Sequence, residues 1–341
     1  MNFKIKISNS KAPLCSLLLC AVSASAQPFE LPTANRALFE PGGQERYFVP
    51  TPGKTWLSGT FGCVRSDGRQ MHEGLDIKCL QRDRAGEPID PILATADGLV
   101  AYFNNRPSLS NYGRYIVLRH LVAGMEVYSL YAHLSEIQPG IKVGRPVRAG
   151  EKIAVMGRTS NTRGRISKER AHVHFEVNLF YSDHFNAWFK RRFPRERNDH
   201  GLFNGQNLVG FDPRLVLLAE HEEGARFDLL SWIQHRPELC RVLVRKTDFP
   251  WLRRYPMLVK QGVLPAGEPV AGYEIALDFN GLPFELIPRG AAEMKGAAKY
   301  RLLSVNEAED AKNPCRRLVA RQGARWELTN NGLSLLELLT D

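Results

Sequence analysis

The stretch from Trp56 to Pro213, called the strand-rich unit below, consists of short runs rich in Val, Ile, Tyr and Phe that are separated by glycines. Clear examples lie at residues 98–103, 114–120 and 125–131. β-Branched and aromatic side chains suit a pleated, half-buried surface, and glycine marks the turns between strands. The pattern predicts antiparallel strands and a mainly β fold of the α+β class.

The length of the chain predicts more than one folded unit, because 341 residues exceed the roughly 100–200 of a typical domain. Residues 27–55 are rich in proline, which predicts an extended lead-in that either packs over the next domain or stays loose. Residues 56–213 make up the strand-rich unit. Residues 214–341 are predicted to form a helical connector followed by a small β-rich accessory domain.

Local sequence signals in the C-terminal part predict individual helices and turns. An Asp-Pro pair opens a predicted short helix at 212–218, and residues 227–233 have apolar helical spacing. An Asn-Gly pair at 280–281 lies between two strand-like runs and predicts a tight hairpin. The Asn-Asn-Gly sequence at 330–332 predicts a second turn.

The first 26 residues have the organisation of a secretory signal. Three lysines precede an apolar stretch at 12–22, and small residues at 24–26 form a cleavage site. The apolar stretch is shorter than the roughly 20 residues of a membrane helix, and the leucine before Cys20 disfavours lipidation there. We predict an exported chain, in the periplasm, in the cell envelope or secreted, with no membrane span after cleavage.

The chain is basic, with a formal charge of +10, and the signal lysines account for only part of it. A basic surface favours polyanionic partners. For an exported protein these are cell-wall polymers or anionic lipid surfaces, so nucleic acid is not expected. Simple solubility is the plainer explanation of the same charge.

Four cysteines remain after the signal, at Cys63, Cys79, Cys240 and Cys315. An even number of cysteines in an oxidising compartment favours disulfide bonds. Proximity in sequence predicts Cys63–Cys79 and Cys240–Cys315, with one bridge in each folded unit. Buried reduced cysteines are the alternative.

Three clusters that contain histidine or carboxylate residues lie in the strand-rich unit, at 72–76, 131–134 and 172–176. Zinc prefers imidazole and carboxylate ligands in a tetrahedral shell, and a catalytic site uses three protein ligands plus water. His72, Asp76 and one histidine of the third cluster meet that requirement.

The third cluster is the most informative in geometry. On a strand, residues i and i+2 point to the same face, so the side chains of His172 and His174 point toward the same site. Val173 and Phe175 then point to the opposite, apolar face. Taken by itself, the pattern also fits a hydrogen-bonded pair of histidines on an exposed strand.

Together these residues resemble the LytM or lysostaphin-type zinc peptidases of family M23. The H-x-x-x-D motif of that family is present as His72 and Asp76, its tyrosine-x-histidine-leucine motif contains His133, and its H-x-H motif is His172 and His174. The resemblance covers the strand-rich unit and implies an antiparallel-sheet peptidase domain.

The resemblance implies that Zn²⁺ is bound by His72, Asp76 and His174. It also implies that His133 and His172 orient the water molecule, accept its proton or stabilise the oxyanion. Zinc-bound water has a pKa of about 7, so a neutral imidazole is a suitable acceptor and no separate glutamate base is needed. The implied activity is the hydrolysis of stem peptides or peptide crosslinks in bacterial peptidoglycan.

Two stretches depart from the family pattern. Residues 160–171 carry several basic side chains where the family often has a short Ser/Thr-Gly-Pro approach, which bears on substrate specificity. Residues 184–197 are basic and aromatic and are predicted to be an inserted loop. This loop is either a wall-binding rim or a solvated charged face over an aromatic cluster. The remaining histidines are expected to be structural or surface residues.

Other functions compete with this interpretation. A non-catalytic LytM-like module would activate another wall enzyme, but relatives of that kind have decayed metal motifs, whereas all five site residues are present here. A zinc D,D-carboxypeptidase has a longer gap between its histidine and aspartate ligands. A peptidase of glycine-rich proteins stays open. Three roles are open for the accessory domain. It positions the enzyme on the wall or on a partner, it covers the groove and regulates access, or it only stabilises the catalytic domain.

Overall fold

The computed structural model describes residues 29–162, 166–294, 296 and 298–341. The signal predicted at residues 1–26 lies outside these ranges, as do Arg163 and Arg165 of the basic approach to the H-x-H strand. Among the described residues, no helix has both the length and the apolar character needed to cross a membrane.

The strand-rich unit contains twelve short strands among its described residues. Each is paired antiparallel with its neighbours in the sheets, so the mainly β fold predicted from the sequence is confirmed. The strands are β1 Gly62–Arg65, β2 Gln70–His72, β3 Leu75–Lys78, β4 Pro91–Leu93, β5 Gly98–Asn104, β6 Arg114–Val122, β7 Met125–Leu134, β8 Glu136–Ile137, β9 Pro146–Val147, β10 Lys152–Val155, β11 His172–Phe180 and β12 Leu208–Phe211.

Strand β11 organises the largest sheet. Strand β7 pairs along one edge of β11, and β3 and then β12 pair along the other edge. The sheet continues from β7 through β6 and β5 to β9, while β4-β10-β8 and β1-β2 form two small separate sheets. All nine residues of β11 are buried.

The two faces of β11 have different chemistry, because successive side chains on a strand point to opposite faces. One face belongs to the main hydrophobic core and the other is polar. The apolar residues are Val173, Phe175, Val177 and Leu179, and the polar residues are His172, His174, Glu176 and Asn178.

The N-terminal lead-in packs over the strand-rich unit, which is one of the two alternatives left open by the sequence. Phe48 has no exposed surface. The backbone N–H of Val49 donates to the carbonyl of Asp76 at 2.8 Å. A short helix, α1 (Gln44–Tyr47), precedes this contact. The lead-in therefore supports the strand that carries Asp76.

The basic, aromatic stretch at 184–197 is not the plain loop predicted from the sequence, because it contains helix α2 (Phe185–Arg192). Phe185, Trp188 and Phe189 are spaced by three and four residues, so they share one helix face and are buried. The terminal basic side chains lie toward solvent. The predicted loop is therefore corrected to a helix with a charged face over an aromatic cluster, and the role of this stretch as a wall-binding rim stays a prediction.

Two helices connect the strand-rich unit to the C-terminal region, as predicted. The first, α3 (Pro213–Glu223), begins where Asp212 Oδ1 accepts the backbone N–H of Arg214 at 2.9 Å. It continues past the predicted end at Leu218. The second, α4 (Leu229–Gln234), is capped in the same way by an aspartate.

Residues 235–341, called the accessory region below, combine strands with three helices among the described residues. Four strands form a sheet in the order β15-β14-β13-β16, and β17 pairs with β18 in a hairpin. In chain order the elements are β13 Cys240–Val244, α5 Pro250–Arg254, β14 Gly272–Leu277, β15 Pro283–Arg289, β16 Tyr300–Val305, α6 Glu307–Lys312, β17 Val319–Gln322, β18 Arg325–Leu328 and α7 Asn330–Thr340.

One of the two predicted turns in this region is present. The pair at 280–281 joins β14 to β15, and Gly281 has a φ of +89°, which glycine adopts without steric cost. The turn predicted at 330–332 is wrong, because these residues begin α7. Thr329 Oγ1 accepts the backbone N–H groups of Asn331 and Gly332 and so caps that helix.

The accessory region packs directly on the strand-rich unit, and one continuous hydrophobic core contains residues of both. Two buried hydrogen bonds cross the boundary. The backbone N–H of Phe180 donates to Tyr255 Oη at 2.9 Å, and Asn280 Nδ2 donates to the carbonyl of Gly210 at 2.7 Å. Because both bonds end on β11 or β12, the accessory region is fixed to the sheet that carries the histidines.

The disulfide bond also crosses this boundary. Cys63 is bonded to Cys315, whereas Cys79 and Cys240 are free and buried. The predicted pairs Cys63–Cys79 and Cys240–Cys315 are therefore wrong. Proximity in sequence was a poor guide, since the fold brings together two cysteines that are 252 residues apart. Burial raises the pKa of Cys79 to about 11 and that of Cys240 to about 12, so both thiols stay protonated near pH 7.

Replacing Cys63 and Cys315 together by alanine should lower the free energy of unfolding by about 2–4 kcal/mol, because the crosslink restricts the unfolded chain. Urea denaturation followed by tryptophan fluorescence measures this loss. Cys79→Ala is the control and should cost about 1 kcal/mol or less. Recovery of a Cys63–Cys79 peptide under non-reducing conditions would contradict the pairing.

Candidate metal centre

Three of the side chains singled out in the sequence meet at the end of the sheet. His72 Nε2, Asp76 Oδ1 and His174 Nδ1 all lie within 4.8 Å of one another, and each pair of these atoms is separated by 3.1 Å. All three residues are buried. The register of the β3–β11 pair places His174 directly opposite Asp76. Backbone pairing therefore brings together two residues that are far apart in sequence.

The turn between β2 and β3 brings His72 to the same point. Gly74 lies in this turn, and a Cβ atom there would approach the carbonyl oxygen of Phe175 to 2.3 Å. Only glycine allows such a close approach of the turn to β11. The glycine inside the H-x-x-x-D motif thus has a packing role that keeps His72 and Asp76 beside β11.

Hydrogen bonds to the far nitrogens set the tautomers of the two clustered histidines. His72 Nδ1 donates to the carbonyl of Thr60 at 2.7 Å, so Nε2 is the acceptor nitrogen and faces Asp76 and Arg65. His174 Nε2 donates to Glu176 Oε1 at 2.8 Å, so Nδ1 is the nitrogen that faces Asp76. In both rings the nitrogen that faces Asp76 is therefore the one suited to bind a metal.

Glu176 is the centre of a buried hydrogen-bond network behind His174, and only 1% of its surface is exposed. Tyr112 Oη donates to Glu176 Oε1 at 2.8 Å, and Asn178 Nδ2 donates to Oε2 at 2.9 Å. Carboxylates in this position orient metal-binding histidines and raise their basicity. Glu176 is therefore a positioning residue for His174.

His133 and His172 lie beside this cluster. Their ring centroids are 4.9 Å apart, and His172 Nε2 is 3.4 Å from Asp76 Oδ1. His133 Nδ1 donates to the carbonyl of Thr159 at 2.9 Å, and His172 Nδ1 donates to the carbonyl of Arg170 at 2.6 Å. In each ring the Nε2 atom is left as an acceptor.

The backbone and the surroundings of His133 are both unusual. Its φ of +63° lies in the left-handed region, which non-glycine residues seldom occupy outside sites where the surrounding structure imposes it. Burial lowers the pKa of His133 well below its usual range, and the nearby His172 and His174 lower it further. Burial also lowers the pKa of His172. Both rings are therefore neutral near pH 7.

The charge balance of the cluster favours a cation. Burial raises the pKa of Asp76, but its interactions with His172 and His72 outweigh that effect and keep the pKa well below its usual value. Burial likewise opposes protonation of His174, but hydrogen bonds to Asp76 and Glu176 raise its pKa to about 10. The buried carboxylates thus attract positive charge, and a dication on the same donor atoms would compete with that proton.

Arg65 places a positive charge beside Asp76 and His72. Its Nη2 atom donates to Asp76 Oδ2 at 2.5 Å and lies 3.0 Å from His72 Nε2. The outer oxygen of Asp76 is therefore held by a guanidinium, while the inner oxygen faces the two histidines. Two imidazole nitrogens and one carboxylate oxygen form a donor set that fits a catalytic zinc site.

The cluster lies in a groove of about 1060 Å³ whose walls come from both parts of the chain. The strand-rich unit provides the five residues above, and the accessory region provides a strip of side chains on the far wall. That strip contains Asn280, Arg316, Leu318, Asn331, Ser334, Leu335 and Leu338.

The other histidines lie away from the cluster, as expected. His120 is buried beside Ser129, and burial lowers its pKa to about 4. His200 bonds with Tyr102, and the rest contact other parts of the fold. Those remaining are His184, His221 and His235.

The sequence analysis gave no role to three residues of this site, namely Glu176, Tyr112 and Arg65. Glu176 could have been found, because its i+2 spacing from His174 puts it on the same strand face. Nothing in the local sequence marks Tyr112 or Arg65, since their roles depend on how separate segments pack.

Comparison with known proteins identifies the family. Residues 70–186 match the family described as Peptidase family M23. Lipoprotein NlpD of Yersinia enterocolitica is 35% identical over 95 residues, which make up 28% of this chain and 84% of that relative. The chain belongs to peptidase family M23. The matched residues include the five histidine and aspartate positions, whereas Arg65 and the accessory region lie outside them.

Two further similar proteins are matched over only part of their length. The Murein hydrolase activator NlpD of Escherichia coli (strain K12) is 35% identical over 128 residues, or 38% of this chain and 27% of that relative. The chain thus spans about a quarter of that curated relative's length. A crystal structure of a zinc containing peptidase from Vibrio cholerae is 25% identical, with 45% of this chain and 37% of that chain covered at a TM-score of 0.29.

Replacing Glu176 by glutamine should weaken metal binding by about 10–100-fold, because the amide orients His174 less firmly and makes it less basic. Zinc affinity measured by competition with a chromogenic chelator tests this. Glu73→Gln is the matched control, since Glu73 lines the same groove but is not among the hydrogen-bond and ion-pair partners of His174 in the described part of the chain. Equal affinities for the two variants would remove the positioning role of Glu176.

Proposed function

We propose that the chain is a zinc-dependent endopeptidase that hydrolyses peptide crosslinks of bacterial peptidoglycan after export to the cell envelope. The observation that carries this proposal is the convergence of His72, Asp76 and His174 beside two neutral histidines. These five residues lie in a groove large enough for an extended peptide. Membership of the M23 family supports the same class of chemistry.

The five site residues have two different roles in this proposal. His72, Asp76 and His174 would hold the zinc ion, which supplies a Lewis acid and makes a bound water molecule acidic. His172 and His133 keep neutral acceptor nitrogens next to that position, so they can take a proton and return it to the leaving amine. Once protonated, either ring can also donate a hydrogen bond to the developing oxyanion.

The name of one relative suggests a second function for the chain. The E. coli relative is called a murein hydrolase activator, which makes a binding role without catalysis the main alternative. The retention of all five site residues, together with the tautomers fixed by Thr60 and Glu176, weighs toward catalysis. Cleavage of glycine-rich proteins is a further alternative for the same site.

Metal analysis and hydrolysis by the purified mature protein separate these functions. We expect one zinc ion per chain, and mass spectrometry of fragments released from purified sacculi should identify a cut peptide crosslink. Zinc-free protein that cuts neither sacculi nor glycine-rich peptides, but stimulates another wall hydrolase, would establish the activator.

Substitution of a proposed ligand tests the metal site directly. His72→Ala, Asp76→Ala and His174→Ala should each abolish both metal retention and hydrolysis, because three protein ligands are the minimum of a catalytic zinc site. Metal content after dialysis and product release are the two measurements. His120→Ala is a matched control, since this buried histidine lies outside the cluster. Full zinc occupancy in all three ligand variants would refute the assignment.

The two flanking histidines should behave differently. His133→Ala and His172→Ala should lower kcat by about 10²–10⁴-fold while retaining much of the metal, because their proposed work is proton transfer and oxyanion stabilisation. The same dialysis and product-release measurements apply. If either variant loses metal as completely as His174→Ala, the roles of the histidines must be reassigned.

A further inference from the structure

Two segments outside the metal cluster contribute positive charge to the lining of the groove. Arg192 lies at the end of α2, and Arg316 lies in the accessory region just before β17. Both line the same groove as the proposed metal ligands. Neither residue lies within the part of the chain that matches the M23 family, which ends at residue 186.

Arg316 is held in place on both sides. The preceding residue, Cys315, is bonded covalently to Cys63 of the strand-rich unit. Arg316 Nε donates to Asn280 Oδ1 at 2.6 Å, and Asn280 in turn donates to the carbonyl of Gly210 on β12. These bonds use only the Nε atom of the guanidinium. Its two terminal nitrogens are left for a ligand.

Arg192 is also oriented by a contact between the two parts of the chain. Its Nε atom donates to Ser334 Oγ of α7 at 3.0 Å, and its guanidinium lies 5.7 Å from the ring centroid of Phe193. Helix α7 therefore fixes this arginine at the point where it meets α2. As with Arg316, the terminal nitrogens are not used by this bond.

The charges lining the groove do not balance. Among the described residues that line it, five are basic and two, Glu73 and Asp76, are acidic. Two of the basic residues have carboxylate partners, since Lys54 pairs with Asp67 and Arg65 pairs with Asp76. The other three, Arg170, Arg192 and Arg316, form no ion pair with a carboxylate of the described residues. A bound anion would provide the missing partner.

We propose that Arg192 and Arg316 form a carboxylate-binding subsite that selects an acidic residue of the peptide substrate. This rests on the proposed function, because the proposed metal centre in the same groove would supply the cleavage. A planar guanidinium binds a carboxylate through two parallel, charge-assisted hydrogen bonds, which gives both affinity and orientation. Leu335 of α7, which is partly exposed, lines the same groove and provides apolar surface for the aliphatic part of that residue.

The subsite is tested with two crosslinked stem-peptide dimers, one with free side-chain carboxylates and one with the corresponding carboxamides. The full mature protein is compared with Arg192→Gln, Arg316→Gln and the double variant. Arg195→Gln and Arg317→Gln are the matched controls, because these exposed neighbours do not line the groove. Thermal melting of every variant confirms that it folds like the wild type.

We expect the wild type to cleave the carboxylate dimer with a kcat/KM at least about tenfold above that for the carboxamide dimer. The preference should shrink in each single variant and disappear in the double variant, mainly through KM, while the controls keep it. A preference that survives in the double variant, or an equal loss on both dimers, would overturn the subsite.

Binding of labelled dimers, measured by fluorescence anisotropy before detectable conversion, separates this proposal from the proposed function. If no protein hydrolyses either dimer, yet the double variant loses about tenfold in affinity for the carboxylate dimer alone, the subsite stands and catalysis fails. If hydrolysis occurs with the same carboxylate preference in all variants, catalysis stands and the subsite fails.

Discussion

The buried carboxylate of Asp76 is the charge on which the candidate metal centre depends. It is 2% exposed, and three histidines and Arg65 gather around it. A buried carboxylate without partners would cost several kcal/mol, so the fold must hold these groups in place. It does so with backbone pairing, because the register of β3 against β11 sets His174 opposite Asp76. Electrostatics and sheet geometry therefore depend on each other at this point.

Strand β11 couples the stability of the domain to its proposed chemistry. One face packs into the main core, and the other carries His172, His174 and Glu176. A slip of one residue in its pairing would turn the histidines into the core and the apolar residues toward the polar face of the strand. The packing of the core thus enforces the register that the site needs. Strands β3, β7 and β12 fix that register along both edges.

The accessory region completes the groove, whereas the residues with metal-binding chemistry all lie in the strand-rich unit. It is fixed there by a shared hydrophobic core, by the Cys63–Cys315 bond and by hydrogen bonds such as that from Asn280 to Gly210. Of the three roles considered for it, stabilisation has these direct contacts in its favour, while positioning of the enzyme and cover of the groove stay predictions. The part of the groove that it lines contains Arg316 and three leucines and has no histidine or carboxylate.

The sequence by itself determined the features that depend on short-range periodicity and local backbone conformation. Runs of β-branched and aromatic residues between glycines identified the strands, the i+2 spacing placed His172 and His174 on one face, and the pair at 280–281 marked a hairpin. Capping signals located the start of α3 but failed at 330–332, where the threonine before the turn-like sequence makes it the first turn of a helix. Helix α2 was missed because its aromatic spacing was interpreted only as composition.

Tertiary structure alone decided the features that join distant segments. The disulfide pairing, the contact of Arg65 with Asp76, the network around Glu176 and the far wall of the groove all belong to this group. Local pattern cannot predict them, because each depends on how preformed strands and helices pack to bury their apolar faces. Residues 252 positions apart in the chain, such as Cys63 and Cys315, become neighbours only as a result of that packing.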